Sequence, residues 1–495
     1  MSSNLLTRVL IATGAVAFVG IAASIAACGD DDDSKFDGGA SSGTSGSSGQ
    51  SCTSFGGCTY PDGGKPGCTG ISCAQVDCPE GAPKTTLTGK VFDPAGKVPI
   101  YNVTVYVPNT ELAPITAGLG PTCDRCSDTN LSNPIAVTHT DATGSFTLTD
   151  IPANTDFPLV MQIGKWRRKV TIPKVANCQS AAADVGITRL PKNSTEGDIP
   201  QFALSTGSAD PLECLLRKIG LDDKEFGLPG SASKVHLFKG GSTAPATATS
   251  SLQTGGSFPE STTLWNTTDA LAKYDVVLFS CEGDELAATK SVDARKALYE
   301  YAKKGGRIFT SHYHHYWFSN SPIPEVKGVA SWVNDFSCSG GSCPPIVPEP
   351  AATDIVNATV NTSFPKGQAM HDWLQNTGSL TGPDGTLPIQ EARDNVSAIG
   401  PGGISWMTIK NPAAGANNQV AHEYVSFNAP VGAKDEEVCG RVVYTDLHVG
   451  AGDKTGQPFP SGCNTNELTP QQKALEFMLF DLSSCVQRDD QPPVK

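Results

Sequence analysis

The 495-residue chain is short of positive charge: 36 Lys and Arg stand against 50 Asp and Glu, a formal net charge of −14. Such a surface gives no electrostatic reason to bind nucleic acid or an anionic membrane face. The one basic cluster, Lys165, Arg167, Arg168 and Lys169, is too small to alter that. Matched pairs of C-x₂-C units at ribbon or finger spacing are missing, which disfavours a structural zinc module. There is no eightfold β/α repeat and no Gly-rich phosphate loop, which excludes a phosphate-binding β/α barrel. Hydrophobic content is only 38% because 51 Gly and 36 Pro dilute it, and these gather in loops and one tail. A packed core is therefore still affordable elsewhere.

Sixteen cysteines are what the chain has in excess. Several lie at short spacings in Gly-rich loops, which reads as disulfides in an oxidising compartment. Residues 1–27 read as an export signal: Arg8 opens it, Val9 to Ile25 is apolar, and Ile25-Ala26-Ala27-Cys28 ends it. That ending resembles a bacterial lipobox, which implies cleavage before Cys28, acylation of that cysteine and attachment to the cell envelope, with the outer membrane expected. Residues 28–50 are Gly-, Ser- and Asp-rich, suited to a flexible tether. Residues 51–84 hold five cysteines and almost no aliphatic side chains, so only covalent staples could order them.

Residues 85–191 alternate apolar and polar positions around turn signals, as in "TTLTGKVFDPAGKVPIYNVTVYVPN" and "GSFTLTDIPANTDFPLVMQIGKWRRKVTIP". With Gly89, Val91, Asp93, Gly96, Pro99, Thr140, Asp141, Gly144 and Phe146, this stretch resembles the carboxypeptidase regulatory-like domain. That resemblance implies a seven-stranded, prealbumin-like β-sandwich with a structural or adhesive role. An insertion from Asn109 to Asn133 carries Cys123 and Cys126, expected as a structural disulfide within the pair or to Cys178.

From residue 201 to 486 the pattern changes to alternating helix and strand, which predicts a doubly wound, flavodoxin-like α/β domain. Val276 to Phe279 and Arg307 to Thr310 read as buried strands, and Ala294 to Lys304 as the helix between them. "DPLECLLRKIGL" reads as a helix capped by Asp210, and "TPQQKALEFMLFDLSSC" as a closing helix capped by Thr469. Residues 487–495 read as a polar tail.

"YDVVLFS", "YAKKGGRIFTSHYH" and "GRVVYTDLHVG" resemble the class I glutamine amidotransferase-like fold, and within it the ThuA-like group. The family's elbow, G-x-C-x-G, is here Ser311-His312-Tyr313 without its glycines, so glutaminase chemistry is not expected. The whole arrangement resembles secreted lipoproteins of myxobacteria and their relatives, through phrases such as "LECLLRKIG" and "QQKALEFMLFDLSSC". Proteins of that set are sometimes named tryptophan synthase alpha chain; nothing in this sequence supports that chemistry.

Ligands of open parallel sheets sit beyond the carboxyl ends of the strands. The chemistry-bearing residues there are Glu282, His312, His314, His315, Asp446 and His448. Two arrangements stay open: an acid–base group of His312, His448 and Glu282, or a divalent-metal site of His312, His314, His448 and Asp446. On an extended segment His312 and His314 would face the same way. A polar cleft floor with no reaction is the third. Cys281 is expected in a disulfide, because its acidic neighbours oppose a reactive thiolate. Further bridges are expected at Cys338–Cys343 and Cys439–Cys485. The expectation is a binding or structural module rather than an enzyme, with no cofactor beyond that metal. Its partners would be the membrane, through the lipid, and a glycan or envelope protein. The alternative is an envelope hydrolase or isomerase acting on carbohydrate.

Overall fold

The structure is a computed structural model. It describes residues 68–120, 123–126, 131–241, 248–332, 354–410, 420–450 and 452–491, together with the backbone of two short paired strands, Ser51–Cys52 (β1) and Cys58–Thr59 (β2). The signal, Cys28, the tether, Cys338 and Cys343 lie outside the described residues.

Seven strands follow: Thr86–Lys90 (β3), Thr104–Pro108 (β4), Pro134–His139 (β5), Ser145–Thr149 (β6), Phe157–Ile163 (β7), Trp166–Ile172 (β8) and Ser180–Ala182 (β9). They form a three-stranded sheet, β6-β3-β9, and a four-stranded sheet, β5-β4-β7-β8. Alternation sets their inner faces: Phe146 and Leu148 are buried while the alternate residues Thr147 and Thr149 are exposed. Leu87, Phe146 and Leu148 of one sheet share a core with Val105, Val107, Leu159 and Met161 of the other, which makes a β-sandwich.

The remaining strands are Phe202–Ser205 (β10), Phe226–Gly227 (β11), Val235–Phe238 (β12), Val276–Phe279 (β13), Arg307–Ser311 (β14), Ala330–Trp332 (β15), Ile355–Val360 (β16), Leu387–Gln390 (β17), Val396–Ile399 (β18), Gly403–Lys410 (β19), Val420–Ala429 (β20) and Gly440–Thr445 (β21). All but β15 and β18, which pair with each other, join one sheet in the order β11-β12-β10-β13-β14-β21-β20-β19-β16-β17. The first six run parallel and the last four continue antiparallel. The sheet is thus larger and more mixed than the doubly wound domain expected. Every residue of β13, β14 and β21 is buried, because neighbours flank each strand and both faces are covered.

The closing helix, Pro470–Ser483, starts where a Thr469–Gln472 capping box and Pro470 place it. It is buried almost all round, as a helix between two layers must be. Phe477 stacks 6.0 Å from Tyr101 of the sandwich, and Phe480 lies 5.6 Å from Trp166. Sandwich and mixed sheet therefore share one continuous apolar core.

Five disulfides are present among the described residues: Cys68–Cys73, Cys78–Cys178, Cys123–Cys439, Cys126–Cys485 and Cys214–Cys463. They correct three expectations. Cys123 and Cys126 bond neither each other nor Cys178, and Cys439 does not bond Cys485. The loop carrying Cys123 and Cys126 runs in between the start of β21 and the end of the closing helix, with Arg125 bridged to Val486. Each cysteine of the expected pair meets a loop sulfur instead. Cys281, the third correction, is a buried free thiol. Within the polar tail Asp489 is buried.

Candidate functional site at the strand ends

Parallel register brings Phe279, Thr310 and Tyr444 level across β13, β14 and β21. The residues just beyond these strands therefore meet above one edge. After β14 the chain turns abruptly. His312 adopts φ +43°, a left-handed conformation that a side chain of this size rarely takes, and a short 3₁₀ turn follows over His312–His315.

That turn aims His312 at Cys281, whose Sγ lies 3.3 Å from His312 Nδ1. The His448 ring stands edge-on to His312 with centroids 5.1 Å apart, and the Tyr313 ring lies tilted against His312 at 4.0 Å. One donor atom from each of Cys281, His312 and His448 lies within 4.8 Å of the others. All three side chains are buried.

A frame of hydrogen bonds fixes the trio. Cys281 N–H donates to Ser311 Oγ at 2.9 Å, and Ser311 Oγ donates to Asp210 Oδ2 at 2.7 Å. Asp210 Oδ1 accepts from Val449 N–H at 2.8 Å, next in sequence to His448. The His448 carbonyl accepts from Gln471 Nε2 of the closing helix at 2.6 Å. Glu391 reaches in from the side, its Oε2 3.5 Å from His448 Nδ1, with about a third of its side chain still exposed.

The two imidazoles titrate in opposite directions. Burial, then the charge of His448, holds His312 well below its usual range, so it is neutral. Burial would lower His448 too, but Cys281, Glu391 and Asp210 outweigh it and push it up to about 10. A neutral imidazole, a charged imidazole and the Cys281 side chain thus lie buried side by side.

Of the expected site residues, His312 and His448 come together, while Glu282, His314 and Asp446 do not join them. Glu282 Oε2 is taken by Lys290 Nζ at 2.5 Å and Oε1 by Gly241 N–H at 3.0 Å. His314 accepts from Trp317 Nε1 on Nδ1 at 3.0 Å, so its Nε2 carries the proton and donates to the Ser280 carbonyl at 2.8 Å. With both nitrogens engaged, it has no lone pair for a metal. The 3₁₀ turn replaced the extended segment on which His312 and His314 would have faced the same way. Asp446 accepts from Tyr444 Oη at 2.5 Å and from Asn395 N–H at 3.0 Å. His315 packs on Trp332, with Glu285 Oε1 3.4 Å from its Nε2.

Sequence reasoning missed three members of the centre. Cys281 carried a signal, since it directly follows the strand beside that of His312. Asp210 was read as a helix cap, yet Pro211 is the N-cap residue and Asp210 serves the site. Glu391 gave no local signal; it enters from a turn at φ +56°.

No protein-family model and no curated protein matches the chain. Among solved structures it is similar over 22% of its length to BcpA, the major pilin subunit of Bacillus cereus, at 9% identity and a TM-score of 0.15. It spans only 31% of that pilin. It is also similar over 30% of its length to a type II cohesin–X–dockerin complex, Coh3ScaB-XDoc_M1ScaA, from Acetivibrio cellulolyticus, at 15% identity and a TM-score of 0.14, covering 78% of that chain. At these scores the likeness assigns neither a fold nor an activity.

Proposed function

We propose that this chain is a lipid-anchored envelope protein that binds rather than turns over its ligand. In this reading the sandwich is a carboxypeptidase regulatory-like module. The mixed sheet is an amidotransferase-like, ThuA-like unit whose catalytic elbow has been replaced. The observation that carries it is His312, at φ +43° on the turn after β14 where that family would present a nucleophile. The nearby thiol, Cys281, sits on the neighbouring strand end and is fully buried. A buried thiol on the wrong strand is placed to be a ligand, not to attack a bound amide. The five disulfides suit an exported protein.

A second reading, an envelope carbohydrate hydrolase or isomerase, draws on the His448–Glu391 pair, which reaches solvent through Glu391.

The full-length chain, expressed in a bacterium fed labelled palmitate, tests the anchor. Wild type should carry label in the membrane fraction, and Cys28→Ser should lose both label and membrane attachment. Label retained by Cys28→Ser would sink the anchor. Ammonia release from glutamine, or glycan turnover, that disappears in Cys281→Ala would replace the binding reading with an enzymatic one.

A further inference from the structure

We propose that Cys281, His312 and His448 bind a thiophilic transition-metal cation, with zinc the reference ion and Glu391 supplying the fourth ligand. This rests on reading the strand-end centre as a binding site and names what it binds.

The donor set is the first argument. One sulfur and two imidazoles suit zinc and its neighbours, whereas calcium and magnesium require oxygen ligands. Spacing is the second. Bonds of about 2.0–2.3 Å in a tetrahedron put ligand atoms roughly 3.6 Å apart. Cys281 Sγ and His312 Nδ1 are already 3.3 Å apart, and the whole trio spans no more than 4.8 Å. Small side-chain rotations close that gap.

Unmet valence is the third. His448 is buried, yet neither ring nitrogen makes a hydrogen bond of ordinary geometry; Glu391 Oε2, 3.5 Å from Nδ1, is close but long. A buried imidazole in that condition is costly unless something else engages its ring nitrogens. The redox state of Cys281 is the fourth. Every other cysteine with a described side chain is in a disulfide, while Cys281 remains a thiol. Supporting contacts are in place as well: Asp210 and Ser311 hold the Cys281 backbone, and Gln471 holds that of His448. On binding, two protons leave to solvent, the thiol proton of Cys281 and the extra proton of the charged His448, and the thiolate, two neutral imidazoles and the Glu391 carboxylate surround the cation. Glu391, part-exposed, marks the side from which the ion enters.

The test uses the full chain stripped with a chelator and titrated with cobalt(II), a spectroscopic stand-in for zinc. One equivalent should bind, with a near-ultraviolet thiolate-to-cobalt band and strong visible bands of a tetrahedral ion, and zinc should displace it. Cys281→Ser should lose the thiolate band. His312→Ala and His448→Ala should each weaken binding at least tenfold. Circular dichroism in chelator checks that each variant is folded; if Cys281→Ser is not, Cys281→Ala takes its place. Absence of a thiolate band in wild type overturns the proposal, as does an unchanged band in the cysteine variant. The broader binding reading falls separately, on Cys281-dependent turnover of glutamine or glycan.

Discussion

At the amino end of β21, Arg441 lies between Asp481 and Asp489; at the carboxyl end of the same strand, the chain runs through Asp446 to His448. Both clusters are buried, and they are built differently. Arg441 donates to Asp481 Oδ2 at 2.6 Å and also binds Asp489, while Lys366 Nζ lies 3.0 Å from Asp481 and 3.3 Å from Asp489. Ser426 donates to Asp489 at 2.6 Å, and Trp406 donates to Ser426 at 2.8 Å. Two cations meet two anions. The charges match, both terminal nitrogens of Arg441 are hydrogen-bonded with only its Nε left over, and the helix Pro365–Asn376, the closing helix and the tail are tied to the sheet. At the other end, Cys281, His312 and His448 crowd together, and Glu423, fully buried nearby, makes no hydrogen bond through either side-chain oxygen among the described residues. Buried charge alone therefore does not mark a site. Buried charge that is matched holds the fold, and buried donors that converge without being satisfied are the better pointer to a ligand.

The contrast breaks most easily at Arg441. Arg441→Met would leave two carboxylates buried without their main partner and should cost about 3–5 kcal/mol in urea denaturation. A loss below about 1 kcal/mol would mean that the amino-end network does not hold the sheet.

A buried acid pair with no metal-binding partners sharpens the contrast at the next level. Asp93, on the sandwich, and Glu476, on the closing helix, are both fully buried; Asp93 Oδ2 and both Glu476 oxygens lack hydrogen bonds. Burial pushes Asp93 up to about 6 and Glu476 well above its usual range, against weaker opposing pulls from Lys97 and Lys473. Both are raised in the folded state, so the native protein holds these protons more tightly than the unfolded chain does. Stability is then greatest below about pH 4 for this pair and falls as pH rises through about 6. The loss should be on the order of 3 kcal/mol from Asp93 alone, with Glu476 acting in the same direction. The double variant Asp93→Asn, Glu476→Gln should lose that slope between pH 4 and 7.5. A slope unchanged from wild type would show that the pair is not the source.

How much of this could be read from residues alone depended on whether the cause was local. Val276–Phe279 is a strand in the sequence because parallel strands covered on both faces read as apolar runs. Thr469, Pro470 and Gln472 announced the closing helix through contacts three residues long. The sandwich strands showed in simple alternation. What stayed hidden was set by approach in space. Cys123 and Cys126 bond partners 316 and 359 residues away, and no spacing rule could choose them. Glu282 was expected beside His312, but Lys290, eight residues on, takes its carboxylate. Asp210 looked like a helix cap because its partners, Ser311 and Val449, are brought to it only by the sheet.

The smallest expected effect is at His448. His448→Met replaces an imidazole lacking good hydrogen bonds with a side chain of similar volume. In chelator, losing the attraction of part-exposed Glu391 and of Asp210 for the charged imidazole should cost about 1–2 kcal/mol, less than Arg441→Met. Thermal unfolding of wild type and His448→Met, each in chelator and in excess zinc, therefore tests the account most directly. In chelator the His448→Met midpoint should sit modestly below wild type, and zinc should raise the wild-type midpoint alone, by an amount that grows with ion concentration, as binding to the native state requires. A wild-type midpoint indifferent to zinc, or a His448→Met midpoint in chelator as low as that of Arg441→Met, would contradict it.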